Sequence, residues 1–283
     1  MSANVQTSSE STLGVKALSA VPYKISYVLN IPIASLTYQQ VLSYLEEQIE
    51  RKAKNFCVTL NLDILRLANE NESFFNVVKN ADFIFADGMP IIWLSQTKGL
   101  HSENTMPLPE RVPGCDIVQD MCRLSHEKGY KLFILGAGPG VAEMASQKLK
   151  QRLPNINVVG TYCPSAAELS NDAQSQEIIE TINASGAQVL FVALGAPKQE
   201  TWVYRHREQL APYVILPCGG SIDFIAGTQK KSPTWLGNLG LEWLYRLSCN
   251  PKRLFKRYIL DDLPFLIKAY YKNIRRQSST AFS

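Results

Sequence analysis

From about Tyr27 onward, short apolar runs closed by turn residues alternate with stretches whose apolar positions recur at helical spacing. The runs Tyr27–Ile33, Phe56–Leu60, Phe83–Ala86, Lys131–Leu135, Asn157–Gly160, Val189–Leu194 and Val214–Pro217 predict strands. Thr37 is placed to cap a helix over Tyr38–Lys52, and further helices are predicted over Asp63–Asn69 and Ser73–Lys79. Thr97–Pro113, with its Gly, Ser, Asn and three prolines, reads as a loop. Strands alternating with helices predict an α/β fold with a mostly parallel sheet. After Gly219 the strand pattern stops, and aromatic and basic helices are predicted over Pro233–Leu244, Pro251–Leu260 and Leu263–Arg276. The expected organisation is a disordered tail (1–22), an α/β core (23–228), a helical appendage (229–262) and a basic amphipathic tail (263–283).

Composition narrows this further. The first stretch, to about Val21, is rich in Ser, Thr and Ala and lacks the charged-then-apolar order of a secretory signal. No segment approaches the roughly 18 uncharged apolar residues of a membrane-spanning helix. Six scattered cysteines without a C-x-x-C pair, beside three histidines, fit a reduced cytosolic protein without a structural metal. The net charge is +4, yet residues 246–283 hold nine Lys/Arg against two Asp, so +7 in this segment stands against −3 in the rest. That concentration fits an anionic partner: phosphate, nucleic acid or lipid headgroup.

Four places could carry chemistry. After the run Lys131–Leu135, Gly136 and Gly138 begin a glycine-rich turn into a helix, where backbone amides can approach a phosphate. A dinucleotide reading would want an acidic residue after the next strand, and Asn157–Pro164 offers none. Gly195-Ala196-Pro197-Lys198-Gln199-Glu200 leaves the sheet through a tight turn; Lys198 could meet a phosphate and Gln199 a base or sugar, or the segment could simply open a helix. Thr59 and Asn61 follow one apolar run and Asp87 another, so a parallel sheet would bring them to one edge, where a carboxylate can act as a general base. Asp63 could equally mark a helix start. Arg246, Arg253 and Arg257 would share one face of an unbroken helix, although Pro251 could interrupt it, and guanidinium groups suit a diphosphate. The interleaved Trp235, Trp243, Tyr245 and Phe255 make the stretch too apolar for a merely solvated face.

Taken together, Thr59-Leu60-Asn61, Ala86-Asp87-Gly88, Pro109–Gly114, Gly195–Glu200, Gly219–Gly227, Gly240–Arg246 and Pro251–Tyr258 make the chain resemble the WecG/TagA/CpsF glycosyltransferases over about residues 25 to 262. The resemblance implies a Rossmann-like α/β core with a helical appendage. It also implies an inverting transfer of a hexose (N-acetylmannosamine, its uronic acid or glucose) from a UDP-sugar to an undecaprenyl-diphosphate-linked saccharide, with no cofactor or required metal. Asp87 falls on the family's proposed catalytic base, Thr59 and Asn61 beside it, Gln199 on a sugar contact and Arg111 on a loop arginine. Arg246, Arg253 and Arg257 fall in the appendage, which folds over the pocket and helps hold the diphosphate. Two departures stand out: the loop before Arg111 is several residues longer than usual, including Gly99–Met106, and Leu263–Ser283 extends beyond the usual appendage.

A nicotinamide oxidoreductase resting on Gly136–Gly140, or a non-catalytic nucleotide-binding membrane scaffold, are the competing readings. No base-reading module accompanies the charge, so nucleic acid is not expected as a partner. The oligomeric state is open, a homo-oligomer included. In Leu263–Arg276 the residues Leu263, Leu266, Ile267, Tyr270 and Ile274 fall on one helical face and Lys268, Lys272 and Arg275 on the other, the pattern of a basic interfacial helix. The expected location is the inner face of the cell membrane, peripherally attached to its anionic surface.

Overall fold

The computed structural model describes residues 23–97, 106–238 and 240–280. The tail expected over 1–22 and most of the insertion at Gly99–Met106 lie outside these residues. The chain opens with a hairpin, β1 (Ile25–Val28) against β2 (Ile31–Ala34). The single run expected over Tyr27–Ile33 is therefore two strands. Leu29 and Asn30 both take positive φ, 47° and 66°, closing the two-residue turn that hairpins favour; Leu is not a residue that advertises such a turn.

Helix α1 (Tyr38–Glu50) starts at Thr37, whose side chain accepts from the Gln40 amide while Gln40 reaches back to the Thr37 amide. Next come β3 (Asn55–Leu60), α2 (Leu62–Glu70), α3 (Glu72–Lys79), β4 (Phe83–Ala86), α4 (Met89–Gln96) and α5 (Gly114–Lys128). The rest of the core is β5 (Lys131–Gly136), α6 (Val141–Arg152), β6 (Asn157–Tyr162), α7 (Ala166–Ser170), α8 (Asp172–Ala184), β7 (Val189–Ala193), α9 (Lys198–His206), β8 (Val214–Pro217) and α10 (Ser221–Ala226).

Six strands form one parallel sheet in the order β4-β3-β8-β7-β5-β6. Strands β3, β4, β7 and β8 are buried along their whole length, which explains why they read as continuous apolar runs rather than alternating ones. One sheet face packs on α2, α3, α4, α8 and α9, the other on α1, α5, α6 and α10. Because the helices after β3 and β7 lie on one face and the helix after β8 on the other, the chain diverges at the carboxyl ends of these strands. Such a divergence opens a crevice in parallel α/β sheets.

Beyond α10 the chain is helical, as expected, but more broken. Gly240 at φ 72° separates α11 (Thr234–Asn238) from α12 (Glu242–Cys249), so Pro233–Leu244 is not one helix. Asn250 leaves helical geometry and Pro251 starts α13 (Pro251–Phe255), which passes into a π-helical turn (Lys256–Asp262) and then α14 (Leu263–Thr280). Arg246 and Arg257 therefore do not lie on one unbroken helix; the break at Pro251 prevents it. Helix α14 docks through Phe265, Leu266 and Ala269 against the core. Of its expected apolar stripe, Leu263, Ile267 and Tyr270 remain exposed, together with Tyr271.

Gly136 ends β5 at φ 100°, and a Cβ there would lie 2.7 Å from the Ala193 carbonyl oxygen on β7. Backbone strain and a clash with a neighbouring strand both oppose any side chain. Gly136→Ala is expected to destabilise the fold by about 2 kcal/mol or more, seen as a fall of several degrees in thermal melting.

Candidate active site

At the sheet's carboxyl edge, β3 delivers Thr59 and Asn61, and β4 delivers Asp87. Asn61 caps α2, its Oδ1 accepting from the Ile64 amide at 3.0 Å. The Asp87 amide donates to the Leu60 carbonyl at 2.8 Å, tying the two exits together. The Asp87 carboxylate in turn accepts from the Gly114 amide at the start of α5. A Cβ at Gly114 would stand 3.0 Å from Thr59 Cγ2 and 3.4 Å from Asp87 Oδ2, so glycine is what permits this approach.

Arg111 is held from both sides. Glu110 Oε1 accepts from the Tyr38 amide at 2.6 Å, at the start of α1, and the Val112 amide donates to the Ala86 carbonyl at 2.7 Å. The loop between them carries Arg111 toward the appendage, where its Nη1 lies 3.3 Å from Glu242 Oε2. Gly237 leaves room for the guanidinium; a Cβ there would collide with it.

Glu242 also pairs with Arg246, four residues along α12, so one carboxylate joins the core loop to the appendage. Arg246 lies over the Phe224 ring, 5.3 Å from its centre. A second cluster sits beside the first. Arg66 on α2 meets Asp63 at 2.8 Å, Glu70 at 2.8 Å and Asp262 at 2.9 Å, while Arg257 meets Asp63 at 3.1 Å and Asp262 at 3.7 Å. Asp63 and Asp262 are buried, so each needs its guanidinium partners.

Two cavities meet at these charges. The smaller, about 250 Å³, is lined by polar and backbone groups from the exits of β3, β4, β7 and β8, including Thr59, Gln199 and Gly219. The larger, about 440 Å³, runs between α4 and the appendage and is walled by apolar side chains such as Met89, Trp93, Leu241, Trp243 and Leu266. Asn61, Asp63, Asp87, Arg246, Arg257 and Tyr258 border both. Burial pushes the Asp87 carboxyl up to about 6, with Glu242 adding to the rise and Arg246, the Gly114 amide and Arg111 opposing it.

The structure thus brings together Thr59, Asn61, Asp87, Arg111, Gln199, Arg246 and Arg257. Gln199 is buried, and its Oε1 accepts from the amides of Gly195 at 3.1 Å and Gly219 at 3.2 Å. Gly136, Gly138 and Lys198 border neither cavity: the glycines lie at the β5 exit, and Lys198 is exposed at the start of α9. The Arg253 side chain is outside what the structure describes. Sequence reasoning missed Glu242, although its spacing four before Arg246 was a usable signal, and it left Asp63 as a helix start. It also missed Arg66 and Asp262, whose meeting across 196 positions no local pattern announces. Among the described residues no three metal-ligating side chains cluster.

The sequence profile described as the glycosyl transferase WecG/TagA/CpsF family matches residues 26–279. Curated relatives include the N-acetylglucosaminyldiphosphoundecaprenol N-acetyl-beta-D-mannosaminyltransferase of Staphylococcus aureus strain NCTC 8325 / PS 47, 28% identical over 251 residues, which is 88% of this chain and 93% of the relative. The proteins of that name from strains COL and MRSA252 match with the same figures.

The raised Asp87 carboxyl has a cost for the fold. Its folded state holds the proton more tightly than the unfolded chain, so this contribution to stability is complete below about pH 4 and is lost as pH rises through about 6. Asp87→Asn is therefore expected to be more stable than the wild type toward urea at pH 8, with the difference vanishing near pH 4.

Proposed function

Because the chain belongs to the WecG/TagA/CpsF glycosyltransferase family, we propose that it moves a hexose from a UDP-sugar, with inversion, onto a saccharide carried on a polyprenyl diphosphate. The observation that carries this reading is the position of Asp87 on the wall common to a polar cavity and an apolar one. A nucleotide-sugar suits the polar cavity, with backbone amides and Gln199 at hand. A lipid-linked acceptor suits the apolar cavity, and the two substrates would then meet at the carboxylate. The staphylococcal relatives are named for transfer to N-acetylglucosaminyldiphosphoundecaprenol, an acceptor with both a sugar end and a lipid end.

In this reading the acceptor hydroxyl attacks the anomeric carbon as Asp87 takes its proton, and the bond from that carbon to UDP breaks with its electron pair leaving on the diphosphate. Asp87 then returns the proton to solvent. Arg111, Arg246 and Arg257 offset the charge gathering on the leaving group, a kind of stabilisation whose loss typically costs about 100- to 1,000-fold in rate. They are now paired with Glu242, Asp63 and Asp262, so the diphosphate must compete with those carboxylates for them. The donor sugar is N-acetylmannosamine, its uronic acid or glucose. The nicotinamide reading loses its main support, since Gly136 has a packing reason to be glycine and lies away from both cavities.

The appendage would face the membrane. Together with α14 it exposes Trp235, Trp243, Leu244, Phe255, Leu260, Leu263, Ile267, Tyr270 and Tyr271 beside the basic charge of the C-terminal segment. Among the described residues no helix is long and apolar enough to cross a bilayer, so attachment would be peripheral.

Two measurements test this. Asp87→Asn should keep its fold and UDP binding while release of UDP from UDP-N-acetylmannosamine, with a synthetic lipid-diphosphate acceptor, falls by about 100-fold or more; retention of over a tenth of turnover defeats the base assignment. The full chain should sediment with anionic vesicles more than with neutral ones and less at high salt, and the double variant Ile267→Asp, Tyr270→Asp should lose that binding. Undiminished binding of the variant would place the membrane contact elsewhere.

A further inference from the structure

The turn that opens α9 buries two consecutive polar side chains. Gln199 borders the polar cavity; Glu200 does not, and it is wholly buried at 0% exposure. A primary amide can be turned either way, and its orientation is set by its neighbours. Here Oε1 accepts from two donors on different loops, Gly195 after β7 and Gly219 after β8. Turned over, Nε2 would face two N–H groups and both bonds would be lost. Glu200 reinforces the same orientation from the other side, its Oε1 accepting from Gln199 Nε2 at 2.7 Å.

Nothing else in the surroundings explains a carboxyl at position 200. Its Oε2 is buried without a hydrogen-bond partner, and no ion pair involves it among the described residues. Burial pushes the group up to about 7, with Asp63 adding to the rise and the hydrogen bonds from Gln199 and from its own amide opposing it. An apolar residue would fill this space at lower cost. Apart from a local bond from its own amide, what the carboxyl supplies is one acceptor aimed at Gln199.

We propose that Glu200 is a positioning residue: it locks the Gln199 amide so that Oε1 ties the β7 and β8 exits together and one Nε2 hydrogen stays available to the donor sugar. Gln199 thus both builds the polar cavity's wall and presents a single donor from it. Two bonds to backbone amides on separate loops fix that donor more closely than a surface glutamine could be fixed. The loop-tying half follows from the fold alone, while the sugar half rests on the transferase reading given above.

The test compares Glu200→Met, which keeps volume and removes the acceptor, with Glu200→Gln, which keeps an acceptor without charge. Two readouts are made on the full chain. Without ligand, hydrogen exchange of the Gly195 and Gly219 amides should speed by at least about tenfold in the Met variant relative to Val192 in the adjoining strand, and stay near wild type in the Gln variant. Affinity for UDP-N-acetylmannosamine should fall about tenfold in the Met variant, the size of one ordinary hydrogen bond, with affinity for UDP unchanged and the Gln variant again near wild type. Should the Met variant not fold, Glu200→Ala gives the same comparison. Unchanged exchange at the two glycines overturns the proposal, as does a Gln variant as impaired as Met, or a parallel loss of UDP affinity. A wild type that ignores UDP-N-acetylmannosamine excludes that sugar from the three, the affinity comparison is then made with UDP-glucose and the UDP-linked uronic acid, and the exchange comparison decides the loop-tying role in either case.

Discussion

The site depends on charge neutralisation between the sheet edge and the appendage. Asp63, Asp262 and Glu242 pair with Arg66, Arg111, Arg246 and Arg257 in a partly dry space, and Asp87 feels Arg246 and Arg111 through space, four negative groups against four positive ones. Neither set would be tolerated alone, because an unpaired charge in such surroundings costs several kcal/mol. The appendage contributes Arg246, Arg257, Glu242 and Asp262 and the core supplies the rest, and three pairs cross between them: Arg66–Asp262, Arg111–Glu242 and Arg257–Asp63. Docking of the appendage and assembly of the site are thus one event. A polyanionic substrate can enter such a cluster because it replaces carboxylates already paired with the same guanidinium groups.

The fold was largely legible, and the reason is burial. Strands covered on both faces must be apolar throughout, so β4 and β8 were delimited to the residue and β3, β5 and β7 to within one. The N-cap at Thr37 was readable because its two hydrogen bonds are local. The hairpin turn at Leu29-Asn30 was not, since neither a glycine nor an Asn-Gly pair marks it. The site divides in the same way. Thr59, Asn61 and Asp87 follow from the rule that polar groups at the ends of parallel strands share an edge. Gly136 and Gly138 fit a phosphate-loop pattern, but the constraint that fixes Gly136 is the neighbouring backbone at Ala193. Arg66 and Asp262 are invisible to any local pattern because their pairing is purely tertiary.

The two cavities make different physical demands on one carboxylate. Burial raises its proton affinity, while the arginines and the Gly114 amide lower it. The balance leaves Asp87 ionised at neutral pH, yet much closer to titration than an exposed aspartate, which is the range where a carboxylate takes a proton most readily. Glu242 contributes to that balance without bordering the polar cavity. It acts on Asp87 through space and on Arg111 and Arg246 by contact.

The strand order carries a consequence for synthesis. β8, the last strand made, lies between β3 and β7 and joins two otherwise separate groups, β4-β3 and β7-β5-β6. As the chain leaves the ribosome, β3 and β4 can pair with each other, but the inner edge of β3 stays uncovered until residues 214–217 emerge, more than 150 positions later. An open, largely apolar edge is the surface most prone to wrong pairing. For this chain the hazardous interval of translation ends when its eighth strand closes the gap, and nascent-chain chaperones would matter most before that moment.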